Sequence, residues 1–430
     1  MKKVAIIGKG TAGALSAMVV YGYSLHSNEK ILIEWYFDSS IATQAVGEGS
    51  NLLVPIHLSN SINFEHHQLN ELDGTFKHGV AKRNWSKSHF VHTFKPPLVA
   101  YHFNALKLQN FILQKLQSQS NVRIIDKNIS SKEIDADLII DCSGKPESYE
   151  DFILSPYMAV NSVHVTQCYW DYAKFQHTIS DAAKYGWVFG VPLQNRCSIG
   201  YLYNNNFSSL DQVKDDVRNI FETYGLQPSQ DTNSFSFQNY YRKSNFVNNI
   251  AYNGNSSFFL EPLEATSTGV IILNARQALT AMENKFHKGY NEKLNVEYKK
   301  VMEAISVMIM LHYFSGSVFK NHFWEHAEKK AGDCLSHYHK IHPEFRTIIK
   351  YCFRCINDER FKNSLFNIDE LFKDDKKFKS LIENMPKTKD YGTWYYSSWV
   401  HNIYELGLYD KLKNHLNLDD QGNRINQLPN

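Results

Sequence analysis

The sequence predicts an α/β fold, in which a Rossmann-type dinucleotide-binding sheet is joined by a further β-sheet and a helical C-terminal region. Three observations predict it. An apolar strand at 4–7 leads into three glycines in G-x-G-x-x-G spacing and then into an alanine-rich helix. Two later apolar runs, at 30–38 and 136–144, have the composition of buried parallel strands. Beyond residue 290 the apolar residues recur mostly with the period of a helix.

The composition is that of a globular protein and argues against several classes of function. The 430 residues are 43% hydrophobic and 21% charged with a net charge of +2, so neither disorder nor a nucleic-acid partner is expected. Six cysteines are too few for a disulfide scaffold and favour a reducing, cytoplasmic location. The most apolar late stretch, at 304–314, is too short to span a membrane, and the apolar start breaks at Gly8, too early for a signal peptide.

The glycine-rich turn gives the sharpest signal. Gly8 would allow the tight turn after the strand, Gly10 would let a pyrophosphate approach the backbone, and Gly13 would let the helix pack on the strand. The helix begins near Thr11 and Ala12, so its N-terminus would face the phosphates. A dinucleotide site is predicted here, against the alternative of a glycine-rich turn in an unrelated α/β protein.

The acid expected on the ribose lies in or just after the second strand. Glu34 is closer to the usual spacing from the glycines, whereas Asp38 is better placed at the end of the strand. Both remain candidates. The third strand, at 136–144, ends in Asp141, Ser143 and Gly144, as expected of a strand whose carboxyl end touches a cofactor.

Two short segments interrupt this module. One is the acidic, glycine-rich turn "VGEG" (46–49), and the other is "GTFKHGV" (74–80), with Lys77 between an aromatic residue and a histidine. Taken alone, Lys77 has the pattern of a solvated surface lysine.

Three later stretches fit together with these. The first, at 186–203, reads as a β-hairpin with Trp187 and Phe189 on one face, and the pattern alone favours plain core packing of both rings. The second, at 253–270, leads into a helix start at 267–269 that suits a small anion or a flavin edge, or simply an N-cap. The third, at 311–327, is an aromatic helix and turn.

In chain order these stretches resemble the flavin-dependent halogenase family, typified by tryptophan halogenases. "GKGTAG" resembles its FAD-binding glycine motif, and "VGEG" and "FKHGV" resemble its V-G-E-A and F-K-x-G-I segments. "WVFGVP" is similar to its W-x-W-x-I-P, "PLEATSTG" to its P-L-E-S-T-G, and "LHY…FW" to a further segment. The resemblance runs from residue 1 to about 330 and implies an FAD-binding fold of the flavin monooxygenase kind.

The resemblance implies a reaction and a set of site residues. FADH2 and O2 would form a flavin hydroperoxide that oxidises chloride, bromide or iodide to hypohalous acid, which Lys77 guides to an electron-rich aromatic substrate. Lys77 and Glu264 would be catalytic, and Thr268 and Gly269 would bind the halide. The implied cofactor-binding residues are Gly8, Gly10, Thr11, Ala12, Gly13, Glu34, Asp38, Gly47, Glu48, Trp187, Pro192 and Gly269.

The sequence also departs from the family pattern. Thr266 stands where the family has its catalytic glutamate, and Glu264 lies two residues earlier, as if Ala-Thr had been inserted. Phe189 replaces a tryptophan, and the C-terminal region shows no match to the segments that enclose tryptophan, so other aromatics are the expected substrates.

Partners and organisation follow from the same reading. No second nucleotide motif is evident for NAD(P)H, so a separate flavin reductase should supply FADH2 without a stable complex; a homo-oligomer is allowed. Cys352 and Cys355 read as one face of an amphipathic helix, so no metal is expected. Residues 1–290 are predicted to be the FAD-binding module with an inserted substrate-side sheet, and 291–430 a mainly helical region with a polar tail. The alternatives are an aromatic hydroxylase on the same fold and a non-catalytic flavin-binding protein.

Overall fold

The computed structural model describes residues 1–42, 47–86, 89–94, 98–358, 390–391 and 394–425. The strands are β1 (Lys2–Ile7), β2 (Ile31–Phe37), β3 (Gly47–Gly49), β4 (Thr75–Lys77), β5 (Gly79–Arg83), β6 (His89–Thr93), β7 (Ala100–Asn104), β8 (Val122–Asp126), β9 (Leu138–Asp141), β10 (Phe152–Leu154), β11 (Ser162–Tyr169), β12 (Thr178–Ala183), β13 (Gly186–Pro192), β14 (Arg196–Tyr203), β15 (Gln227–Ser236), β16 (Tyr240–Arg242), β17 (Phe246–Val247), β18 (Ile250–Tyr252), β19 (Phe258–Phe259), β20 (Asp390–Tyr391) and β21 (Trp394–Tyr395). The helices are α1 (Thr11–His26), α2 (Leu53–Ile62), α3 (Ala105–Gln117), α4 (Leu210–Tyr224), α5 (Ser267–Glu283), α6 (Lys288–Ser315), α7 (His322–Ile341), α8 (Pro343–Ile356), α9 (Tyr396–Glu405) and α10 (Tyr409–Leu416). Short 3₁₀ turns lie at His66–Leu72, Ser131–Glu133, Gly254–Ser256 and Leu263–Ala265.

A six-stranded sheet, in the order β17-β18-β9-β1-β2-β8, forms the centre of the N-terminal module. β1 runs parallel to β2 on one side and to β9 on the other, and β8 and β18 continue the parallel run. The predicted strands at 4–7, 30–38 and 136–144 are confirmed, because their apolar residues are buried in this sheet. Parallel strands are typically covered on both faces, which explains these continuous apolar runs.

A seven-stranded sheet, in the order β15-β11-β14-β13-β12-β5-β6, is the larger of the added sheets. β13 and β14 pair antiparallel from Gly186 opposite Tyr203 to Pro192 opposite Cys197, which confirms the predicted hairpin. β5 joins β12 in parallel and β6 in antiparallel orientation, and so brings residues 79–83 into this sheet.

A three-stranded sheet, in the order β3-β7-β4, carries the two short segments that interrupt the module. Gly47 to Gly49 pair with one edge of β7, and Thr75 to Lys77 pair with the other. Val46, the first residue of the "VGEG" segment, lies outside the described residues. The glycine-rich acidic strand and Lys77 therefore lie on the two sides of one central strand.

The described residues after 288 are mainly helical, as predicted, and share a core with the rest of the described chain. One buried apolar cluster runs from Val4 in β1 to Leu416 in α10. All six cysteines are buried, and Cys352 and Cys355 lie in α8, the predicted amphipathic helix. The polar tail begins with a turn closed by a bridge between Leu418 and Arg424, and residues 426–430 lie outside the described part. In that described part, no helix is both long and apolar enough to cross a membrane.

Candidate active site

The glycine turn has the geometry that a dinucleotide requires. Gly8 has φ +100°, and a Cβ there would lie 2.3 Å from the carbonyl oxygen of Cys142. A Cβ on Gly13 would lie 2.0 Å from the carbonyl oxygen of Gly8, so α1 packs directly on the turn. A Cβ on Gly10 would meet nothing within 4 Å, which leaves open space where a pyrophosphate would approach.

Thr11 and Glu48 connect this turn to the small sheet. The Thr11 hydroxyl donates a hydrogen bond to Glu48 Oε1 at 2.9 Å, and Gln109 Nε2 donates to Thr11 Oγ1 at 3.2 Å. Burial raises the pKa of Glu48 to about 7, against the opposing hydrogen bond from Thr11. Two predicted cofactor segments, 8–13 and 47–49, therefore adjoin each other.

The structure places the two candidate ribose acids differently. Glu34 lies inside β2, where it accepts a hydrogen bond from Tyr36 at 2.8 Å and forms ion pairs with Lys3 and Arg123 at 3.8 and 3.6 Å. Asp38 follows β2 directly, at the carboxyl edge of the sheet, where it accepts from Ser40 N at 2.9 Å. This edge is where dinucleotides bind in such sheets, so its position favours Asp38.

The aromatic hairpin packs against a buried carboxyl group. Trp187 is 1% exposed, and its indole N–H donates to Glu261 Oε2 at 3.3 Å, which also accepts from the Tyr313 hydroxyl at 2.8 Å. Burial raises the pKa of Glu261 to about 8, so this acid is mostly protonated at neutral pH. Phe189 lies over Gly200, where a Cβ would be 2.1 Å from the ring. Little of the Trp187 ring is left for direct contact with a cofactor.

Two further predicted cofactor residues serve packing in this structure. The carbonyl of Pro192 accepts from Thr75 Oγ1 at 2.7 Å, which joins β13 to β4. Ala12 faces Gly254, where a Cβ would lie only 2.4 Å from the Ala12 methyl group.

Lys77 is fully buried, contrary to the surface reading of its local sequence. Its Nζ donates to the carbonyl of Ser50 at 3.1 Å and lies 5.7 Å from the ring centre of Phe94. Burial lowers the pKa of Lys77 to about 8, and the Glu264 carboxylate opposes this shift. Among the described residues, no carboxylate lies within ion-pair distance of this ammonium group.

The segment Ser50-Asn51 links Lys77 to the start of α5. Asn51 N donates to Thr268 Oγ1 at 3.3 Å, and a Cβ on Gly269 would lie 2.0 Å from the Asn51 amide. Thr268 is buried in the first turn of α5, where backbone N–H groups have no acceptor inside the helix. The predicted halide residues and Lys77 are thus linked through Ser50, which contacts Lys77, and Asn51, which contacts Thr268 and Gly269.

Glu264 is turned into the interior by an unusual backbone. Glu264 and Ala265 have φ of +73° and +52°, a left-handed conformation that is costly for residues other than glycine. The two residues that seemed inserted are Ala265 and Thr266. Ala265 forms part of this bend, and Thr266 is the N-cap residue of α5. The carboxylate is buried, so the two-residue shift does not send Glu264 to the surface.

Several buried residues surround the Glu264 carboxylate. Oε1 forms an ion pair with Lys82 Nζ and lies 3.6 Å from His312 Nε2, and Oε2 accepts from Trp394 Nε1 at 3.1 Å and from His92 Nδ1 at 3.3 Å. Burial alone would raise the pKa of Glu264, but the charge of Lys82 and the contacts with His312 and His92 outweigh it and hold the pKa well below its ordinary value. Together with Asn402, which binds Lys82, these residues are called the Glu264 cluster.

Sequence reasoning missed every member of this cluster except Glu264. Lys82, the one with a usable signal, stands among apolar and small residues of β5, five positions after Lys77, where an inward-facing charge is unexpected. Nothing in a single sequence associates it with residues 312, 394 and 402, which are hundreds of positions away.

The fold and the glycine turn define a dinucleotide-binding protein of the flavoprotein kind. More specifically, the chain belongs to the tryptophan halogenase family, because the family model described as "Tryptophan halogenase" matches residues 3–132 and 98–367.

Sequence relatives are distant. Tryptophan 7-halogenase RebH of Lentzea aerocolonigenes is 26% identical over 258 residues, which are 52% of this chain and 47% of RebH. Tryptophan 6-halogenase ThaL of Streptomyces albogriseolus is 24% identical over 268 residues, 55% of this chain and 50% of ThaL. The chain thus spans about half the length of these curated relatives.

Solved structures resemble nearly the whole chain. BrvH, a flavin-dependent halogenase from Brevundimonas sp. BAL3, gives a TM-score of 0.71 at 17% identity and covers 95% of this chain and 90% of its own. The apo structure of VirX1 gives 0.70 at 17% identity, with 97% and 98% covered. At such identities the likeness establishes the fold, which agrees with the predicted flavin-monooxygenase kind of architecture.

Proposed function

We propose that this chain is a flavin-dependent halogenase that uses FADH2, O2 and a halide to halogenate an electron-rich aromatic substrate. The observation that carries the proposal is the fully buried Lys77 ammonium group, joined through Ser50 and Asn51 to the start of α5 and coupled electrostatically to Glu264. A buried ammonium that has no ion-pair partner among the described residues is costly, and such groups are typical of functional sites.

The residues of the N-terminal module fit FAD. The open space at Gly10 and the N-terminus of α1 suit the pyrophosphate, and Asp38 at the end of β2 suits the ribose. Thr11 and Glu48 would hold the cofactor near the small sheet. When bound, reduced flavin and O2 would supply the two-electron oxidation of halide to hypohalous acid.

Lys77 would polarise this oxidant. Its ammonium donates a hydrogen bond to the oxygen of hypohalous acid, which makes the halogen a better electrophile. As the ring carbon bonds to the halogen, the oxygen–halogen bond breaks, and the departing hydroxide takes a proton from Lys77 and leaves as water. At neutral pH the pKa of about 8 keeps most of Lys77 charged for this role.

Glu264 would take the proton that the substituted ring carbon must lose. Its pKa lies well below the ordinary value, so it is ionised throughout the neutral range. A weakly basic carboxylate is sufficient, because the protonated ring formed by halogen addition is a strong acid. Once the proton on Glu264 has been returned to Lys77, the net reaction consumes hypohalous acid and the aromatic ring and yields the halogenated ring and water.

The proposed halide site is the first turn of α5, at Thr268 and Gly269. Its support is the set of backbone N–H groups at a helix N-terminus, which favours anions, and its link to Lys77 through Asn51. Substrates other than free tryptophan, such as phenols and other indoles, are proposed because the curated relatives match only half of their own length.

The test is a bromination assay with FADH2 from a separate reductase, O2, bromide and an activated phenol or indole. Wild-type protein should yield brominated product, whereas Lys77→Met and Glu264→Gln should lose activity by about 100-fold or more, since each removes a group acting in the reaction. Both variants should still bind FAD, because neither residue lies at the glycine turn.

Two outcomes would contradict the proposal. Hydroxylated product without bromide incorporation would identify an aromatic hydroxylase on the same fold. No turnover by wild-type protein, together with FAD binding that Lys77→Met does not change, would identify a flavin-binding protein without catalytic function.

A further inference from the structure

The interior holds two buried lysines five residues apart, and the family resemblance accounts for only one of them. Lys77 ends β4 and Lys82 lies within β5, and both are 0% exposed. One of these ammonium groups contacts the Glu264 carboxylate and the other is coupled to it only electrostatically, which is unusual because each charge must be removed from water. The contacts of each ammonium group show that the two lysines have different roles in this arrangement.

Three protein groups hold the Lys82 ammonium. It donates hydrogen bonds to Asn402 Oδ1 at 2.5 Å and to His312 Nε2 at 2.7 Å, and it forms an ion pair with Glu264 Oε1. His312 Nδ1 lies 2.9 Å from the carbonyl of Met308, which can only accept, so Nδ1 carries the proton and Nε2 accepts from Lys82. The Lys82 ammonium is therefore engaged by protein atoms and not directed at a substrate or an oxidant.

Both oxygens of the Glu264 carboxylate have close neighbours. Trp394 and His92 donate to Oε2, while Lys82 and His312 flank Oε1. The rings of Phe90 and Trp394 lie 5.5 and 5.3 Å from Lys82 Nζ and exclude water from the pair. The carboxylate is held in one orientation, with Lys82 as its ion-pair partner.

The Lys77 ammonium has fewer partners than the Lys82 ammonium. Within the described part of the chain, its ammonium donates one hydrogen bond, to Ser50, and has no carboxylate at ion-pair distance. Two of its N–H groups thus remain for a ligand. If Glu264 paired with Lys77 instead, the ammonium would be covered and its charge cancelled.

The histidines around Glu264 add no charge to the two lysines and the carboxylate. Burial lowers the pKa of His312 and His401 to about 4, and burial also lowers the pKa of His92. All three are neutral at pH 7. The groups that face Glu264 from the surrounding elements are Lys77 on β4, Lys82 on β5, His92 on β6, His312 on α6 and His401 on α9. Among these described residues the excess positive charge belongs to Lys77.

We propose that Lys82 is a positioning residue that holds the Glu264 carboxylate apart from Lys77, so that the Lys77 ammonium stays uncovered and available to hypohalous acid. This inference rests on the proposed halogenase function for its consequence, but not for its geometry. Lys82 acts through Glu264 and Lys77 and touches no reactant itself.

The test measures the pKa of Lys77 directly, with no cofactor present. ¹³C NMR of protein labelled at the lysine ε-carbon reports each titration, and the spectrum of Lys77→Met assigns the Lys77 signal. In wild-type protein we expect a pKa near 8. In Lys82→Gln, Glu264 is left with Lys77 as its buried cation, so the pKa of Lys77 should rise by about one unit or more, an energy equivalent to tenfold in equilibrium.

Lys82→Arg and Lys288→Gln are the matched controls. The arginine keeps the cation beside Glu264, so the Lys77 titration should stay within about half a unit of wild type. Lys288 is exposed at the start of α6, and its replacement should change nothing. In the bromination assay, kcat/KM at pH 7 should fall about tenfold in Lys82→Gln, and the decline of activity at high pH should shift upward with the pKa of Lys77. Lys82→Arg should restore both.

Unchanged titration and pH profile in a folded Lys82→Gln would overturn the inference and leave Lys82 a purely structural role. Should that variant not fold, the wild-type titration decides, because a Lys77 pKa at or above the ordinary lysine range would show that Glu264 already pairs with Lys77. A wild-type protein without halogenase activity would reject the proposed function, yet the NMR titration would still test Lys82.

Discussion

At the scale of single residues, the structure places Lys77 in a different environment from the one that its local sequence predicts. The local sequence of Lys77 favours an exposed side chain, but β4 directs it into the interior, where only the carbonyl of Ser50 is close enough to accept a hydrogen bond among the described residues. A charged group held in such surroundings destabilises the fold.

This cost predicts how Lys77→Met changes stability with pH. The pKa of Lys77 falls from 10.5 to about 8 on burial, a difference that corresponds to about 3 kcal/mol against the charged form. Because the unfolded chain binds the proton more tightly, wild-type stability should rise with pH between about 8 and 10.5 relative to Lys77→Met. Below pH 8 the variant should be more stable by up to about 3 kcal/mol.

Urea unfolding of both proteins at pH 7, 9 and 10.5 measures this difference. The gap should be largest at pH 7 and close at pH 10.5. A gap that is independent of pH would mean that the Lys77 charge is not penalised by burial. Lys288→Met, at an exposed position, should show no pH-dependent gap.

Some residue roles were predictable and others were not. The order of motifs along the chain pointed to Lys77 and Glu264, since each sits in a recognisable short segment. Lys82 belongs to no such segment, and His312 lies in the 311–327 stretch without a role that the sequence assigns to it; the two meet only because β5 and α6 bring them to one carboxylate. Likewise, the sequence does not show that β2 ends at Phe37 and leaves Asp38 at the edge of the sheet, which is what favours Asp38 over Glu34.

At the scale of elements, the turn between β1 and α1 is the part that sequence predicts best. Its glycines are required for three different reasons, namely a left-handed φ at Gly8, open space at Gly10 and close packing at Gly13. The bend before α5 was not predictable, because Glu264 and Ala265 adopt positive φ without any glycine to signal it.

The glycine turn predicts opposite effects for two similar substitutions. Gly13→Ala places a methyl group 2.0 Å from the Gly8 carbonyl, so it should destabilise the fold by about 1–3 kcal/mol. Gly10→Ala meets nothing within 4 Å and should leave stability within about 0.5 kcal/mol, yet it should weaken FAD binding about tenfold or more by filling the phosphate space.

Thermal unfolding and FAD titration by fluorescence separate the two effects. If Gly10→Ala bound FAD as well as wild type does, the phosphate would have to approach elsewhere. A Gly13→Ala protein of wild-type stability would contradict the close packing of α1 on the turn.

At the scale of the whole molecule, the site depends on residues from both ends of the chain. Trp394 and Asn402, in the C-terminal region, contact Glu264 and Lys82 in the part predicted as the FAD-binding module. The division at residue 290 therefore stays a prediction, and the Glu264 cluster contains residues from both of the predicted parts. Such long-range pairing is decided by tertiary packing, which local sequence patterns do not encode.

Trp394→Phe tests this dependence. It removes the hydrogen bond to Glu264 Oε2 but keeps a ring beside Lys82, so bromination should fall about tenfold while the fold loses about 1–2 kcal/mol. Trp324→Phe is the matched control, because its indole N–H donates to the carbonyl of Ala183 in the core at 3.0 Å.

Steady-state bromination and urea unfolding of both variants give the comparison. Trp324→Phe should lose similar stability and keep its activity. Equal activity losses in the two variants would show that Trp394 matters only through packing.

The burial of every cysteine has a consequence for how long such an enzyme would survive the oxidant that we propose it generates. Hypohalous acid oxidises sulfur rapidly, and thiolates react faster than thiols. Burial raises the pKa of both Cys142 and Cys168 to about 12, so these groups stay protonated as well as hidden from solvent. Oxidant that escapes into solvent would then meet exposed groups such as Met1 and Tyr172 before it reached a cysteine. The damage from leakage would be oxidation and halogenation of the surface, which spares the core, and the number of turnovers before inactivation would be set by the site itself.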